Sequence, residues 1–263
     1  MTDVSKPLAL VTGASSGIGL ELARQFAEHG YDLLVTAEDD AIVGAAEELR
    51  TQADVQALQT DLRTYDGVER LYQAAVAAGR PVAAVAINAG IGVGGPFAQT
   101  DLAAELDLIH LNVCSSVHLA KRMVVDMAAR GEGDVLITAS IASTMPAPYQ
   151  AVYGASKAFL YQFSEALRYE LKDSGVNVTA LMPGPTDTDF FHRADMEDTR
   201  VATGPKDDPA EVARQGFKAM TKGRDHVVAG SMKVKAQGPL SKVSPDRVKA
   251  AMHAKLSEPG SGH

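Results

Sequence analysis

Tyr153 and Lys157 stand four residues apart in the run Tyr153-Gly154-Ala155-Ser156-Lys157. The segment reads as helix, so the two side chains share a face. A phenol with a pKa of about 10 is a poor base at neutral pH unless a cation stabilises its phenolate. A lysine one turn away supplies that charge, and the pair is then suited to moving a proton. The plainer alternative is a surface i,i+4 pair. The small residues Gly154, Ala155, Ser156 and Ala158 let another molecule approach closely, which tilts the reading towards a site.

A second cluster lies near the start, in Thr12-Gly13-Ala14-Ser15-Ser16-Gly17-Ile18-Gly19. It follows the apolar run Leu8–Val11 and precedes a helical pattern of Leu20, Leu22, Ala23, Phe26 and Ala27. That is a strand, a tight turn and a helix N-terminus. Glycines at 13, 17 and 19 remove side chains that would block a diphosphate. The free N–H groups and the dipole of the helix end favour negative charge there. The order G-x-x-x-G-x-G differs from the commoner G-x-G-x-x-G. A purely structural turn is the alternative, and the Tyr–Lys helix downstream argues against it.

The elements that must position these clusters alternate along most of the chain. Strands are predicted at Leu8–Thr12, Asp32–Thr36, Val55–Gln59, Val82–Ile87, Val135–Ala139, Val176–Met182 and His226–Val228. Helices are predicted at 17–29, 39–50, 66–79, 101–130 and 151–173. Near-continuous apolar strands imply burial on both faces of a parallel sheet. The βαβ alternation predicts an α/β, doubly wound sheet of about seven strands in a single domain spanning 1–257. Ligands of such sheets bind beyond the carboxyl ends of the strands, which here are Gly13, Ala37, Asp61, Asn88, Ser140 and Pro183. The polar stretch 187–209, with Phe190, Phe191 and Met196 scattered in it, reads as a substrate lid with little regular structure. Asp208-Pro209 starts a further helix and Ser244-Pro245 a last one. Residues 258–263 read as a disordered tail.

Composition narrows the class. The 263 residues are 46% hydrophobic and 22% charged, as in a globular protein rather than a disordered one. A net charge of −8 argues against a nucleic-acid partner or an acidic membrane surface. Met1 to Pro7 does not read as a secretory signal, and the longest apolar stretch, Val82 to Gly95, is too short and broken to span a membrane. The lone Cys114 makes no internal disulfide and fits a cytoplasmic setting; it reads as a buried, inert thiol. The histidines show no metal-ligand spacing, so no metal is expected.

Taken in order and spacing, the glycine turn, Asn88-Ala89-Gly90, Ser140, Tyr153-Gly154-Ala155-Ser156-Lys157 and Pro183-Gly184 resemble the short-chain dehydrogenase/reductase family. The match covers roughly residues 7 to 190. The resemblance implies a Rossmann-type fold with strand order 3-2-1-4-5-6-7, a bound NAD(H) or NADP(H), and hydride transfer between an alcohol and a carbonyl. It implies that Tyr153 is the acid/base, and that Lys157 lowers its pKa and bonds the nicotinamide ribose. Ser140 would hold the substrate oxygen, and Asn112 would anchor a water in the proton relay while also serving as a buried brace. Gly13, Ser15, Ser16, Gly17, Ile18 and Gly19 would cradle the cofactor. Asn88 would brace the sheet while Ala89 and Gly90 leave room for the adenosine ribose. Asp61 and Leu62 would contact adenine, and Pro183-Gly184 with Thr186 and Thr188 would cover the nicotinamide.

Two departures from the family pattern stand out. Ile87 replaces the first asparagine of the commoner Asn-Asn-Ala-Gly, which should alter the strand end rather than the chemistry. After the second strand comes Ala37-Glu38-Asp39-Asp40, without the arginine often found at Glu38 in NADP-preferring relatives. A carboxylate there repels a 2′-phosphate and accepts a ribose hydroxyl, which predicts NAD over NADP. The alternative is that Ser15, Ser16 and Thr36 receive the phosphate while Glu38 turns outward. Ile141, Met145, Pro146, Phe190, Phe191 and Met196 suggest an uncharged, hydrophobic substrate. The resemblance also implies a homodimer or homotetramer built on the 101–130 and 151–173 helices. The rival reading is a cofactor-binding sensor or scaffold without catalysis. Retention of Asn112, Ser140, Tyr153 and Lys157 together argues against it, and against epimerisation or dehalogenation on the same scaffold.

Overall fold

The structure, a computed structural model, describes residues 6–231 and 245–262. Seven parallel strands form one sheet in the order β3-β2-β1-β4-β5-β6-β7. They are β1 Leu8–Thr12, β2 Asp32–Ala37, β3 Val55–Gln59, β4 Val82–Ile87, β5 Gly133–Thr138, β6 Val176–Pro183 and β7 His226–Ala229. The connecting helices are α1 Gly17–Glu28, α2 Ala41–Leu49, α3 Tyr65–Ala77, α4 Leu102–Ile109, α5 Ser115–Arg130 and α6 Ala151–Glu170. Later come the short α7 Phe190–Arg193 and α8 Arg200–Thr203, then α9 Pro209–Met220 and α10 Asp246–Ser257. Among the described residues, no helix is long and apolar enough to cross a membrane.

Burial of both sheet faces explains the continuous apolar strands. Along β1, Ala9 and Val11 point into one core with Leu22, Phe26, Ile42 and Phe217, under α1, α2 and α9. Leu8 and Leu10 point into the other with Leu71, Met123, Met127 and Leu160, under α3, α5 and α6. Phe26 is fully buried, and its ring meets that of Phe217 edge-on at 5.2 Å, joining α1 to α9. Truncating such a ring to alanine costs about 3–5 kcal/mol.

Three local expectations need correction. The predicted helix over 101–130 is interrupted by a π-helical turn at His110–Cys114, between α4 and α5. The 187–209 stretch is more ordered than its polarity suggested, because Phe191, Ala194 and Met196 bury into a small core of their own with α7 and α8 around it. The chain end through Gly262 is not a free tail. The Gly260 N–H donates to Asp198 Oδ2 at 2.6 Å, the Gly262 N–H to the Asp198 carbonyl at 2.8 Å, and Arg200 Nε to the Ser261 carbonyl at 2.9 Å. Backbone groups that find partners this way are held, whatever their composition. For the last helix, Ser244 lies outside the described residues, and Pro245 precedes the first turn.

Candidate active site

A cleft of about 570 Å³ opens at the carboxyl ends of the strands. The turn after β1 forms one wall. Gly17 adopts φ +56°, a left-handed conformation that L side chains avoid, and a Cβ there would stand 2.9 Å from Thr188 Cγ2. A Cβ on Gly19 would overlap the Gly13 carbonyl at 1.9 Å. Ser16 precedes α1, but its side chain does not cap the helix, so the first N–H groups face the cleft without a side-chain acceptor. That is a cradle shaped for an anion.

The strand ends behind the turn are fixed by Thr12 and Asn88. Thr12 Oγ1 accepts the N–H groups of Asn88 at 2.9 Å and Ala89 at 3.0 Å, while Asn88 Nδ2 donates to the Thr12 carbonyl at 3.2 Å. Thr138 Oγ1 adds a donation to Asn88 Oδ1 at 3.0 Å, tying β5 to the same point. Asn88 therefore braces three strands. At Gly90, a Cβ would sit 3.0 Å from Asn112 Oδ1 and 3.2 Å from Lys157 Nζ, so the missing side chain makes room for those two groups rather than for a ribose alone.

Asn112 lies on the π-helical turn and is fully buried. Its Oδ1 accepts the Ile91 N–H at 2.9 Å. Its Nδ2 donates to the Ile91 carbonyl at 2.9 Å and to Ser156 Oγ at 3.1 Å. The side chain is a clamp between the loop after β4 and α6, and these bonds use both amide protons. The side chain does not line the cleft, and its bonds are those of the buried brace.

Ser140, Tyr153 and Lys157 converge on the cleft. Ser140 Oγ accepts the Ala142 N–H at 3.1 Å, capping the short 3₁₀ turn Ile141–Thr144, and its own proton is left free to donate. That proton faces the Tyr153 oxygen, where donation from Ser140 favours the phenolate. Burial pushes the phenol up to about 12, and the Ser140 bond only partly offsets that. Lys157 is buried and donates to the Thr138 carbonyl at 2.9 Å. Its Nζ lies 5.9 Å from the centre of the Tyr153 ring, and burial pulls its pKa down to about 8. In this arrangement burial dominates the tyrosine, where the lysine was expected to.

Beyond the ends of β2 and β3, Glu38 and Leu62 line the cleft and Asp61 does not. Arg63 takes up the Asp61 carboxylate, with Nε donating at 2.9 Å, and reaches Glu38 Oε2 with Nη2 at 2.9 Å. Asp39 is part of the wall as well. Its Oδ2 accepts the Ser15 hydroxyl at 3.1 Å, and its Oδ1 is buried without a partner. The hydroxyls of the alternative NADP arrangement are engaged elsewhere: Thr36 Oγ1 donates to the Leu58 carbonyl at 2.7 Å, and Ser16 Oγ accepts from Arg193 at 2.9 Å.

Pro183, Gly184, Thr186 and Thr188 line the opposite side, with Ile141, Met145, Phe190 and Phe191. Met196 packs inside the lid, away from the cleft lining. Sequence reasoning missed Gln150, Arg193, Lys206 and the His253 and Leu256 of α10, all of which line the cleft. Only the fold brings them there; a lone charge in a lid or a terminal helix carries no local signal. Cys114 is exposed rather than buried. Away from the cleft, Glu165, Asp225 and His226 bring ligand atoms within 4.8 Å of one another, with His226 Nδ1 already 3.2 Å from Asp225.

Comparisons with known proteins agree with this geometry. The family model for short chain dehydrogenase matches residues 7–199. Sulfoacetaldehyde reductase 2 of Chromohalobacter salexigens is 34% identical over 70% of this chain and 74% of its own length. Ketoacyl reductase HetN of Nostoc is 28% identical over 94% of this chain and 90% of its own. Among solved structures, a short-chain dehydrogenase from Sphingobium yanoikuyae in complex with NADPH superposes with a TM-score of 0.79 at 28% identity. That alignment covers 91% of this chain and 96% of the other. The chain belongs to the short-chain dehydrogenase family of NAD(P)-dependent oxidoreductases.

Proposed function

We propose that this protein reduces a carbonyl compound to its alcohol with a nicotinamide cofactor, and that Tyr153 supplies the proton. The observation that carries the reading is the convergence of Ser140, Tyr153 and Lys157 on one cleft with the glycine turn after β1. A phenol is protonated at neutral pH and can give its proton to a substrate oxygen, as reduction requires. The relatives named above are themselves reductases.

The residues present fit the cofactor. The open N-terminus of α1 suits a diphosphate, the orphaned Asp39 Oδ1 can accept a ribose hydroxyl, and Lys157 has spent one of its three protons, on Thr138. When bound, the nicotinamide supplies or accepts a hydride. The Ser140 proton then serves the substrate oxygen, and Tyr153 passes its own proton to that oxygen as negative charge develops. Lys157 holds the ribose and restores a cation beside the phenolate that remains. Glu38 and Asp39 at the adenosine end support NAD over NADP.

Met145, Ile141 and Phe190 offer apolar surface beside Tyr153, consistent with an uncharged, hydrophobic substrate. The exposed apolar side chains Leu102 and Leu106 on α4, Val125 on α5 and Phe159 on α6 support association of two copies through these helices. The test is a panel of aldehydes and ketones, each with NADH and NADPH. Consumption of the reduced cofactor with NADH ahead of NADPH is expected; no carbonyl-dependent oxidation of either cofactor would refute the proposal.

A further inference from the structure

We infer that Arg193 is a cofactor diphosphate clamp carried by the lid; this rests on the nicotinamide-cofactor reading above. Arg193 ends α7, and its Nη2 reaches back across the cleft to donate to Ser16 Oγ at 2.9 Å. Ser16 is the residue before α1, and its hydroxyl does not cap that helix. The arginine is thus held at the one place where the free N–H groups of α1 call for an anion. Among the described residues, no other cationic side chain donates to the turn 13–19.

Two further observations locate the charge. Arg193 and Ser16 line the same cleft, and Thr188 of the lid occupies the space a Cβ on Gly17 would need, so lid and turn meet along an edge. The nearest acid, Asp189, lies 3.6 Å away, and both side chains are exposed, so water screens the pair and little of the guanidinium's charge is spent. A serine hydroxyl is a weak partner for a guanidinium. Two phosphate oxygens match its planar fork better and carry full charge. With a diphosphate at the turn, Arg193 exchanges Ser16 for the phosphate and draws the lid onto the cofactor.

The experiment is calorimetric titration with ADP, adenosine and NADH, which separates the diphosphate from the base without any turnover. Arg193→Gln should weaken ADP and NADH about tenfold, as loss of a charge-assisted bond of about 1.4 kcal/mol would do. Adenosine should stay within about twofold, and Arg193→Lys should fall between. The steepness with which added salt weakens ADP should drop in Arg193→Gln. Equal ADP affinity in wild type and variant would overturn the assignment, as would a parallel loss for adenosine, which would point to a disturbed fold. Failure of the unmodified protein to bind NADH or NADPH overturns the cofactor reading itself and this assignment with it.

Discussion

Arg63 Nη2 lies 2.9 Å from Glu38 Oε2, so the carboxylate that lines the cleft after β2 has a guanidinium across it. The same arginine holds Asp61 at 2.9 Å and stands 3.5 Å from Asp107. One cation thus serves three carboxylates, with Asp39 beside them, and the rim stays net negative. A 2′-phosphate must displace Glu38 to use Arg63. Glu38→Ala should free the arginine and raise kcat/KM for NADPH relative to NADH by about tenfold, whereas Arg63→Ala should shift the ratio further towards NADH. Steady-state kinetics with both cofactors checks it. An NADPH preference in the unmodified protein would show that Arg63 already belongs to the phosphate.

Tyr153→Phe removes the proposed proton donor and leaves the ring packed against Phe190, whose centroid is 5.1 Å away. Turnover should fall by about a thousandfold or more while the Kd for NADH stays within a few-fold. Retention of a tenth of the wild-type kcat would exclude Tyr153 as the acid.

Lys157 is charged below a pKa of about 8 and neutral above it. The proposed donation to the cofactor ribose should therefore weaken as pH rises through that value, and the Kd for NADH should climb there. Lys157→Met should bind weakly at every pH and lose the step. The folded pKa lies below the ordinary 10.5, so the unfolded chain binds the extra proton and stability from this group rises with pH between about 8 and 10.5. Tyr153 acts in the opposite sense above pH 10, because its folded pKa is raised. Titration of NADH binding across pH 6.5–9.5, about a unit and a half either side of the step, is the direct measurement.

The proposed lid docks on two glycines in the loop after β4. A Cβ on Gly92 would stand 2.5 Å from Phe190 Cζ, and one on Gly94 would stand 2.2 Å from Met196 Cγ. The Gly94 N–H also donates to the Ala194 carbonyl at 2.9 Å. Gly92→Ala should push Phe190 off its seat, raise KM for the carbonyl substrate several-fold and speed hydrogen exchange across 187–204, with the Tm falling only slightly. Unchanged exchange in that stretch would mean that the ring moves without the lid.

Asp32 opens β2 with Arg80 Nη1 2.7 Å from Oδ2 and the Asp54 N–H donating to Oδ1 at 3.0 Å. Burial pushes this carboxyl up, and the Arg80 and Asp54 bonds outweigh it, so its pKa lies below the ordinary 3.8. Its stabilisation is present above pH 4 or so and is lost as pH falls through the lowered value. Asp32→Asn should cost about 1–3 kcal/mol at pH 7 and flatten the acid limb of the stability curve. Urea unfolding at several pH values reads both effects.

The chain's own order determined the sheet, because continuous apolar runs cannot face water on either side and the intervening helices must cover both faces. Six helix–strand repeats, the glycine turn and the Tyr153–Lys157 spacing were therefore legible as local patterns, and with them the site at the carboxyl ends of the strands. What tertiary structure alone decided is where charges meet across large separations in sequence. Arg63 on Glu38, Arg193 on Ser16 and α10 beside the cleft each join segments whose contact no periodicity encodes. The same holds for Asn112, whose place in a π-helical turn follows from its bonds to Ile91 and Ser156. The ordered chain end follows from partners on Asp198 and Arg200. A polar residue far from its partner carries only its type in the sequence; burial and geometry settle whether it braces, binds or stays in water.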